Sequence, residues 1–298
     1  MFDYASIAAV AAVVREGTFE RAAVALRVTP SAVSQRVRGL EERLGSILIR
    51  RGQPCEATEL GRKLCAHYDQ VRLLEHDLDP ELGRAARHAA VPPVLTIAVN
   101  ADSLATWFHA ALAAFGRQGD VSLDLKLDDE AHTAERLRSG EVLAAVSADA
   151  DPVQGCRTTR LGALRYAACA SPEFIIRHFD AGVNGARLAR APYLQFDRRD
   201  GLQARWAREA YGTELAAPVF WVPSTYAFLD LTLSGLGWSL HPVPMVEAHI
   251  EAGRLVELPP GLRIDVMLYW TVARLHSGAL RGLTQAVKGV ASRELGGS

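Results

Sequence analysis

Thr29-Pro30-Ser31-Ala32-Val33-Ser34-Gln35-Arg36-Val37-Arg38-Gly39-Leu40-Glu41-Glu42-Arg43-Leu44 reads as one helix. Thr29 offers a capping hydroxyl. Pro30 suits the first helical position, because its fixed φ is already helical and its missing N–H would have no intrahelical partner. Val33, Val37, Leu40 and Leu44 recur at i, i+4, i+7 and i+11 and make one apolar stripe for a core. The opposite face carries Ser31, Ser34, Gln35 and Arg38, short polar groups and long donors able to approach base edges in a major groove. There Gln pairs with adenine N6 and N7, Arg pairs with guanine O6 and N7, and the small Ala32 suits a thymine methyl. Arg36 is placed to reach a phosphate. With Thr29 and Pro30 at its opening turn, this face is the candidate DNA-reading surface.

Upstream, Ile7 to Val14 is a short apolar helix stopped by Gly17. Thr18 then caps a second helix, Phe19 to Leu26, whose Ala22, Ala23 and Leu26 let another helix lie close. After a break at Arg27-Val28 the reading helix begins, which gives a helix-turn-helix. Charge agrees locally although the chain as a whole carries only -1. Between Arg21 and Lys63 stand nine basic residues (Arg21, Arg27, Arg36, Arg38, Arg43, Arg50, Arg51, Arg62, Lys63) against Glu41, Glu42, Glu56 and Glu59. Phosphate recognition needs such a cluster, since each neutralised phosphate releases counterions. Charge alone fits a solvated, salt-bridged helical face equally well.

Downstream, Ile47 to Thr58 reads as a short hairpin with a Gly/Pro turn, and Arg50 and Arg51 on such a wing would track the DNA backbone. Thr58 caps a long helix from Glu59 to about Leu82. Its Leu60, Leu64, His67, Val71, Leu74, Leu78 and Leu82 step by three and four, a near-heptad seam with one polar interruption. Such a seam needs a partner, either a second copy in a coiled coil or the chain's own domain.

At 298 residues, with 49% apolar and 22% charged residues, the chain has room for more than one ordinary globular core. Cys55, Cys65, Cys156 and Cys169 form no CxxC pair or metal-ligand spacing, which fits a reducing cytoplasm and no metal site. No leader is read at Met1-Phe2-Asp3-Tyr4, and no apolar run reaches membrane-spanning length. GxSxG, HExxH and Walker motifs are absent, and Gly235-Leu236-Gly237-Trp238 lacks the third glycine of a dinucleotide loop. His132 beside Asp129 and Glu130 reads as a surface turn or a ligand with equal ease. Nothing supports catalysis, and no catalytic residue or cofactor is expected.

From Gly83 to Pro93 the sequence reads as a hinge. Val94–Val99 is a buried-type strand, Leu104 to Phe115 a helix and Val121 to Leu127 an alternating strand, followed by helix near Thr133 to Ser139 and strand at Val142 to Ser147. This is an α/β pattern, and about 205 residues after Pro93 suit two lobes. Ligands in such sheets sit beyond the carboxyl ends of strands. The residues there are Asn100, Asp102 and Ser103; Asp128 and Asp129; Ser147, Ala148 and Asp149; Phe196 and Asp197; and Ser224 and Thr225.

The order helix-turn-helix, wing, long helix resembles the LysR-type transcriptional regulators. The strings Gly17-Thr18-Phe19-Glu20-Arg21-Ala22-Ala23-Val24-Ala25-Leu26 and Thr29 through Gly45 carry the same resemblance. Arg51-Gly52-Gln53-Pro54-Cys55, the stretch from Val99 to Trp107, and Val222-Pro223-Ser224-Thr225 look most like the subgroup that regulates arginine and lysine export. The resemblance implies a winged helix-turn-helix at 1–58, a dimerisation helix at 59–82 with Leu60, Leu64, Val71, Leu74 and Leu78 in its seam, and a hinge at 83–93. It further implies a two-lobed α/β, periplasmic-binding-protein-like effector domain at 94–298. Lobe I would take about 94–161 and 237–298, and lobe II about 162–236, with crossings near Gly162 and Gly237. Implied partners are double-stranded promoter DNA, a second copy or a dimer of dimers, and RNA polymerase; the implied effector is lysine or arginine. An amino-acid carboxylate favours the N–H groups and hydroxyls at Ser103, Ser224 and Thr225, while its cations want the aspartates; Ser103, Asp129 and Thr225 rank first. Alternatives are another effector, an architectural DNA-binding protein without one, or a ligand-binding protein or enzyme that borrowed a DNA-binding domain.

Overall fold

The computed structural model describes residues 3–78, 92–117, 121–127 and 130–296. Helix α1 (Tyr4–Glu16) starts at Asp3, whose carboxylate accepts from Ala5 N, and stops at Gly17, which takes φ +78°. Helix α2 (Phe19–Leu26) is capped by Thr18 through Arg21 N, and α3 (Pro30–Leu44) by Thr29 through Ala32 N. Val33, Val37 and Leu40 pack with Ile7, Val10, Val13, Ala22, Ala23 and Leu48 in a buried core. Leu44, expected to continue that stripe, is 36% exposed, because the three-helix core ends one turn earlier at Leu40.

The wing is an antiparallel pair, β1 (Ile49–Arg50) and β2 (Glu56–Ala57). The Glu41 carboxylate accepts from Leu48 N and Ile49 N, and Gly17 O accepts from Cys55 N at 2.7 Å, so wing and helix-turn-helix form one unit. Helix α4 (Glu59–Leu78) leaves the wing with Gly61 against the strand: a Cβ there would stand 2.2 Å from Leu48 O. The expected continuation to Leu82 and the hinge through residue 91 lie outside the described residues. The seam on α4 needs one correction. Leu64 is buried in the helix-turn-helix core, because the first turns of α4 pack on α1, so it is withdrawn from a dimer seam. Leu60, Leu74 and Leu78 remain exposed, and Val71 is half-buried.

Beyond Pro92 the strands are β3 (Val94–Val99), β4 (Ser122–Leu127), β5 (Ala144–Ser147), β6 (Cys156–Ala170), β7 (Tyr193–Gln195), β8 (Val219–Trp221), β9 (Ser239–Pro242), β10 (Val256–Glu257) and β11 (Arg263–Ala273). The main sheet runs β10-β6-β11-β5-β3-β4, with β9 also on β6; β7 and β8 pair separately in parallel. Two long antiparallel strands, β6 and β11, connect its two ends. The far half of β11, Tyr269–Val272, joins β5 and through it the parallel β3 and β4. The far half of β6, from Tyr166 to Ala170, joins β9 and β10.

The second crossing therefore differs from expectation. Residues 239–257 sit with the far half of β6, and the chain returns through β11, not near Gly237. Gly237 serves close packing instead: a Cβ there would stand 2.6 Å from Leu194 Cδ1. The helical run after β3 also begins earlier than the expected Leu104, as Ala101–Ser103, a π-helical turn over Leu104–Phe108 and a helix over His109–Gly116. The C-terminal helix, Gly278–Glu294, packs on this run and buries Leu280, Leu283, Val287 and Val290.

Candidate functional site

Two groups of polar side chains stand out, one on the surface and one buried. The first is the outer face of α3 and the wing. Thr29, Pro30, Ser31, Gln35 and Arg38 are exposed, while Ala32, Ser34 and Arg36 are half-buried on the same helix. The Thr29 and Ser31 hydroxyls are 3.0 Å apart, so these two are partly occupied by capping. Arg50 and Arg51 are exposed on the wing, and the Arg51 guanidinium stands 5.5 Å from the centre of the Phe19 ring, which orients it beside α2.

The basic residues divide into two sets. Arg21 faces Glu16, Arg43 faces Asp3, Lys63 faces Glu59, and Arg62 donates to Ala57 O. Arg27, Arg36, Arg38, Arg50 and Arg51 have no carboxylate within ion-pair distance among the described residues; Arg27 sits in the turn that ends α2, apart from the other four. These four lie on the face or wing singled out as DNA-reading. Without carboxylate partners of their own, these four can meet an anion from outside.

The second group centres on Asp102, at the start of the helical run after β3. Asn100 caps that run by accepting from Ser103 N at 3.0 Å. The Asp102 carboxylate receives two hydroxyls: Tyr166 donates to Oδ2 at 2.7 Å from β6, and Thr225 donates to Oδ1 at 3.0 Å from the first turn of helix Thr225–Leu233. Ser224 caps that helix by accepting from Ala227 N. Ser103 is fully buried, and its hydroxyl has no hydrogen-bond partner among the described residues. Burial pushes the Asp102 carboxyl above the usual carboxylate range; the Tyr166 and Thr225 hydrogen bonds oppose this, and nearby Asp200 adds to it. No cation among the described residues pairs with Asp102. A buried carboxylate held by neutral hydroxyls can therefore gain by taking up a positive charge.

The structure brings Asn100, Asp102, Ser103 and Thr225 together, with Ser224 one residue away. Ser147 turns elsewhere: its hydroxyl donates to Asp149 O, and it lines a small recess with Thr133, Asp151 and Thr271. Ala148 is half-buried and offers no polar side chain. Asp197 organises its own turn by accepting from Arg199 N and Asp200 N, and Phe196 N donates to Asp200. Asp128 and Asp129 lie outside the described residues, as does the side chain of His132. Sequence reading missed Tyr166 and Asp200. Tyr166 sits inside a long strand with no local motif, and only the register of that strand brings its hydroxyl to Asp102.

Among the described residues no cluster of His, Cys, Asp or Glu could hold a metal ion, and no helix is long and apolar enough to cross a membrane. The family described as "Bacterial regulatory helix-turn-helix protein, lysR family" matches residues 5–62, and "LysR substrate binding domain" matches residues 88–292. HTH-type transcriptional regulator ArgP of Pseudomonas aeruginosa (strain UCBPP-PA14) is 46% identical over 285 residues, covering 96% of this chain and 94% of that protein. HTH-type transcriptional regulator LysG of Mycobacterium tuberculosis (strain ATCC 25618 / H37Rv) is 40% identical over 290 residues, covering 97% and 94%. The crystal structure of ArgP from Mycobacterium tuberculosis superposes with a TM-score of 0.80 at 39% identity over 100% of both chains. Full-length LysG from Corynebacterium glutamicum with bound effector Arg gives 0.68 at 37% identity over 99% of both.

Proposed function

The chain belongs to the LysR family of DNA-binding transcriptional regulators, and we propose that a basic amino acid, arginine or lysine, modulates its binding to promoter DNA. The observation that carries this reading is the Asp102 carboxylate, buried, held by hydroxyls from two separate segments and facing no cation among the described residues. A ligand ammonium or guanidinium would supply the missing charge. Asn100, Ser103, Ser224 and Thr225 would line the same place, with the free N–H groups of helix Thr225–Leu233 available to a carboxylate. The related LysG structure with bound effector Arg supports the choice of ligand class.

On this reading residues 1–58 bind DNA through Thr29, Pro30, Ser31, Ala32, Ser34, Gln35, Arg36, Arg38, Arg50 and Arg51. The 59–82 helix joins two copies through Leu60, Val71, Leu74 and Leu78. A hinge at 83–93 leads to the effector domain. The protein works in the cytoplasm, engages RNA polymerase at an amino-acid exporter promoter, and has no enzymatic activity. The test is a thermal-shift panel of the twenty amino acids on the purified protein. A ligand that binds only the folded state adds about 2.7 kcal/mol of stability at a hundredfold excess over its dissociation constant. Stabilisation by arginine or lysine and not by neutral amino acids is the expected result. A flat panel would remove the amino-acid effector and favour an architectural DNA-binding protein.

A further inference from the structure

Helix α4 has two working faces. One carries the exposed Leu60, Leu74 and Leu78. The other, at i, i+3 and i+7, carries Gln70, Leu73 and Asp77, and all three meet the chain's own effector domain. Leu73 is 1% exposed inside that domain's core cluster, and Gly140 leaves so little room for a side chain that a Cβ would stand 2.6 Å from Gln70 Nε2. Asp77 makes the most specific contact: its Oδ2 accepts from Gly278 N at 2.7 Å across 201 residues of sequence.

Gly278 opens the C-terminal helix. The residue at its capping position, Ser277, makes no capping bond, and its hydroxyl is buried without a partner among the described residues. Serine is among the preferred caps, so this helix has its cap supplied from another domain. A carboxylate does that work well, since the N-terminal amides of a helix are unpaired donors at the positive end of its dipole. Gly278 lacks the Cβ that would stand 3.0 Å from Asp77 Oδ1. The helix so capped packs along Leu104–Gly116, the direct continuation of the turn that holds Asp102 and Ser103.

We infer that Asp77 is a positioning residue of effector response, holding α4 to the effector domain through the N-terminus of the C-terminal helix so that α4 follows that helix when Asp102 changes partners. The inference rests on the effector reading given above. A rigid element gripped at both ends transmits a shift only if the grip is specific. Leu73 alone would slide; a bond to one amide fixes the register of α4 on the domain.

The experiment titrates operator DNA with the full-length protein, with and without saturating L-arginine, for the native chain and for Asp77→Ala. In the native chain arginine changes operator affinity by about 10-fold, within the usual range for linked sites. In Asp77→Ala that change falls to within about 2-fold, while the thermal stabilisation by arginine and the operator affinity without arginine stay. An unchanged arginine response in Asp77→Ala overturns the inference, as does loss of arginine binding itself, which would make Asp77 merely structural. If the native chain shows no arginine response, the effector reading fails separately, and amide exchange decides the inference. Operator DNA should then alter exchange at the first turn of Gly278–Glu294 in the native chain and not in Asp77→Ala; identical exchange in both would overturn it.

Discussion

The face of α3 and the Asp102 cluster are built in opposite ways. Gln35 and Arg38 lie close together in sequence, stand exposed, and need only a helix to be presented. Asp102, Tyr166 and Thr225 are drawn from positions 64 and 123 residues apart and are turned inward against one another. The difference matches what the two proposed partners require. A DNA duplex is larger than the domain that reads it and brings its own array of acceptors, so an exposed face suffices. A small ligand has to be surrounded, and its few charged atoms must be matched by groups withdrawn from water, where each contact is stronger and each unmatched group costs more. Arg36, Arg38, Arg50 and Arg51 present their charge at the surface; the Asp102 carboxyl is held under cover.

The sharpest way to break this contrast is Asp102→Ala. Removing one partner of a buried, hydrogen-bonded charge pair typically costs about 2–5 kcal/mol, so arginine binding should weaken by at least ~30-fold. Operator affinity without arginine should stay unchanged. Calorimetry with arginine, paired with a gel-shift titration, reads both. Arginine binding that survives in Asp102→Ala would place the ligand elsewhere and make the cluster structural.

A second test sharpens the same side. Burial raises the Asp102 carboxyl above its ordinary value, so this group contributes stability that is complete at low pH and is lost as pH rises through its folded value. The charged form, strained by burial and by Asp200, is the form that a cationic ligand relieves. Stabilisation by arginine should therefore grow as pH rises from the acid side through the folded value of Asp102, and Asp102→Asn should flatten that rise. Stabilisation that stays level throughout would show that the ligand does not sense this carboxylate.

These two regions also differ in how much of them was legible. Thr18, Thr29, Pro30 and Gly17 place three helix ends by local chemistry, and each does in the structure what its residue type dictates. The α3 stripe was readable for the same reason, up to Leu44, where the extent of the neighbouring helices decides burial. Leu64 shows the limit on α4: a heptad position says that a residue is covered, not by what. In the effector domain the first three strands were readable, but their company was not, and the long β6 and β11 that tie the sheet together carried no signal that was read. Gly237, near which the resemblance implied a crossing, is a packing glycine, and Tyr166 looks like any strand residue until register sets it beside Asp102. Ser103 and Thr225 were visible because caps and helix starts have local signatures.

On the DNA side, Gln35→Ala should cost about 1–3 kcal/mol of preference for the operator over a mismatched site, with affinity for random DNA nearly unchanged. Competition binding against shuffled DNA measures it. Full discrimination by Gln35→Ala would remove this side chain from base reading and move specificity to Arg38 or to DNA shape.

Arg50→Ala carries the smallest effect and tests the claim that the unpaired arginines wait for phosphate. Arg50 is exposed on β1 of the wing, without a carboxylate partner among the described residues, and the wing is tied to the helix-turn-helix by Glu41 and Gly17. It can thus be removed without disturbing the fold that places it. A phosphate contact is indifferent to sequence, so Arg50→Ala should weaken operator and random DNA alike. Each neutralised phosphate also releases about one counterion, so the slope of log affinity against log salt should fall by about one unit. The same substitution should leave the arginine response untouched, since no contact of Arg50 reaches the cluster around Asp102. A loss confined to the operator, with the salt slope unchanged, would make Arg50 a base reader and shift the boundary between positioning and reading from α3 to the wing.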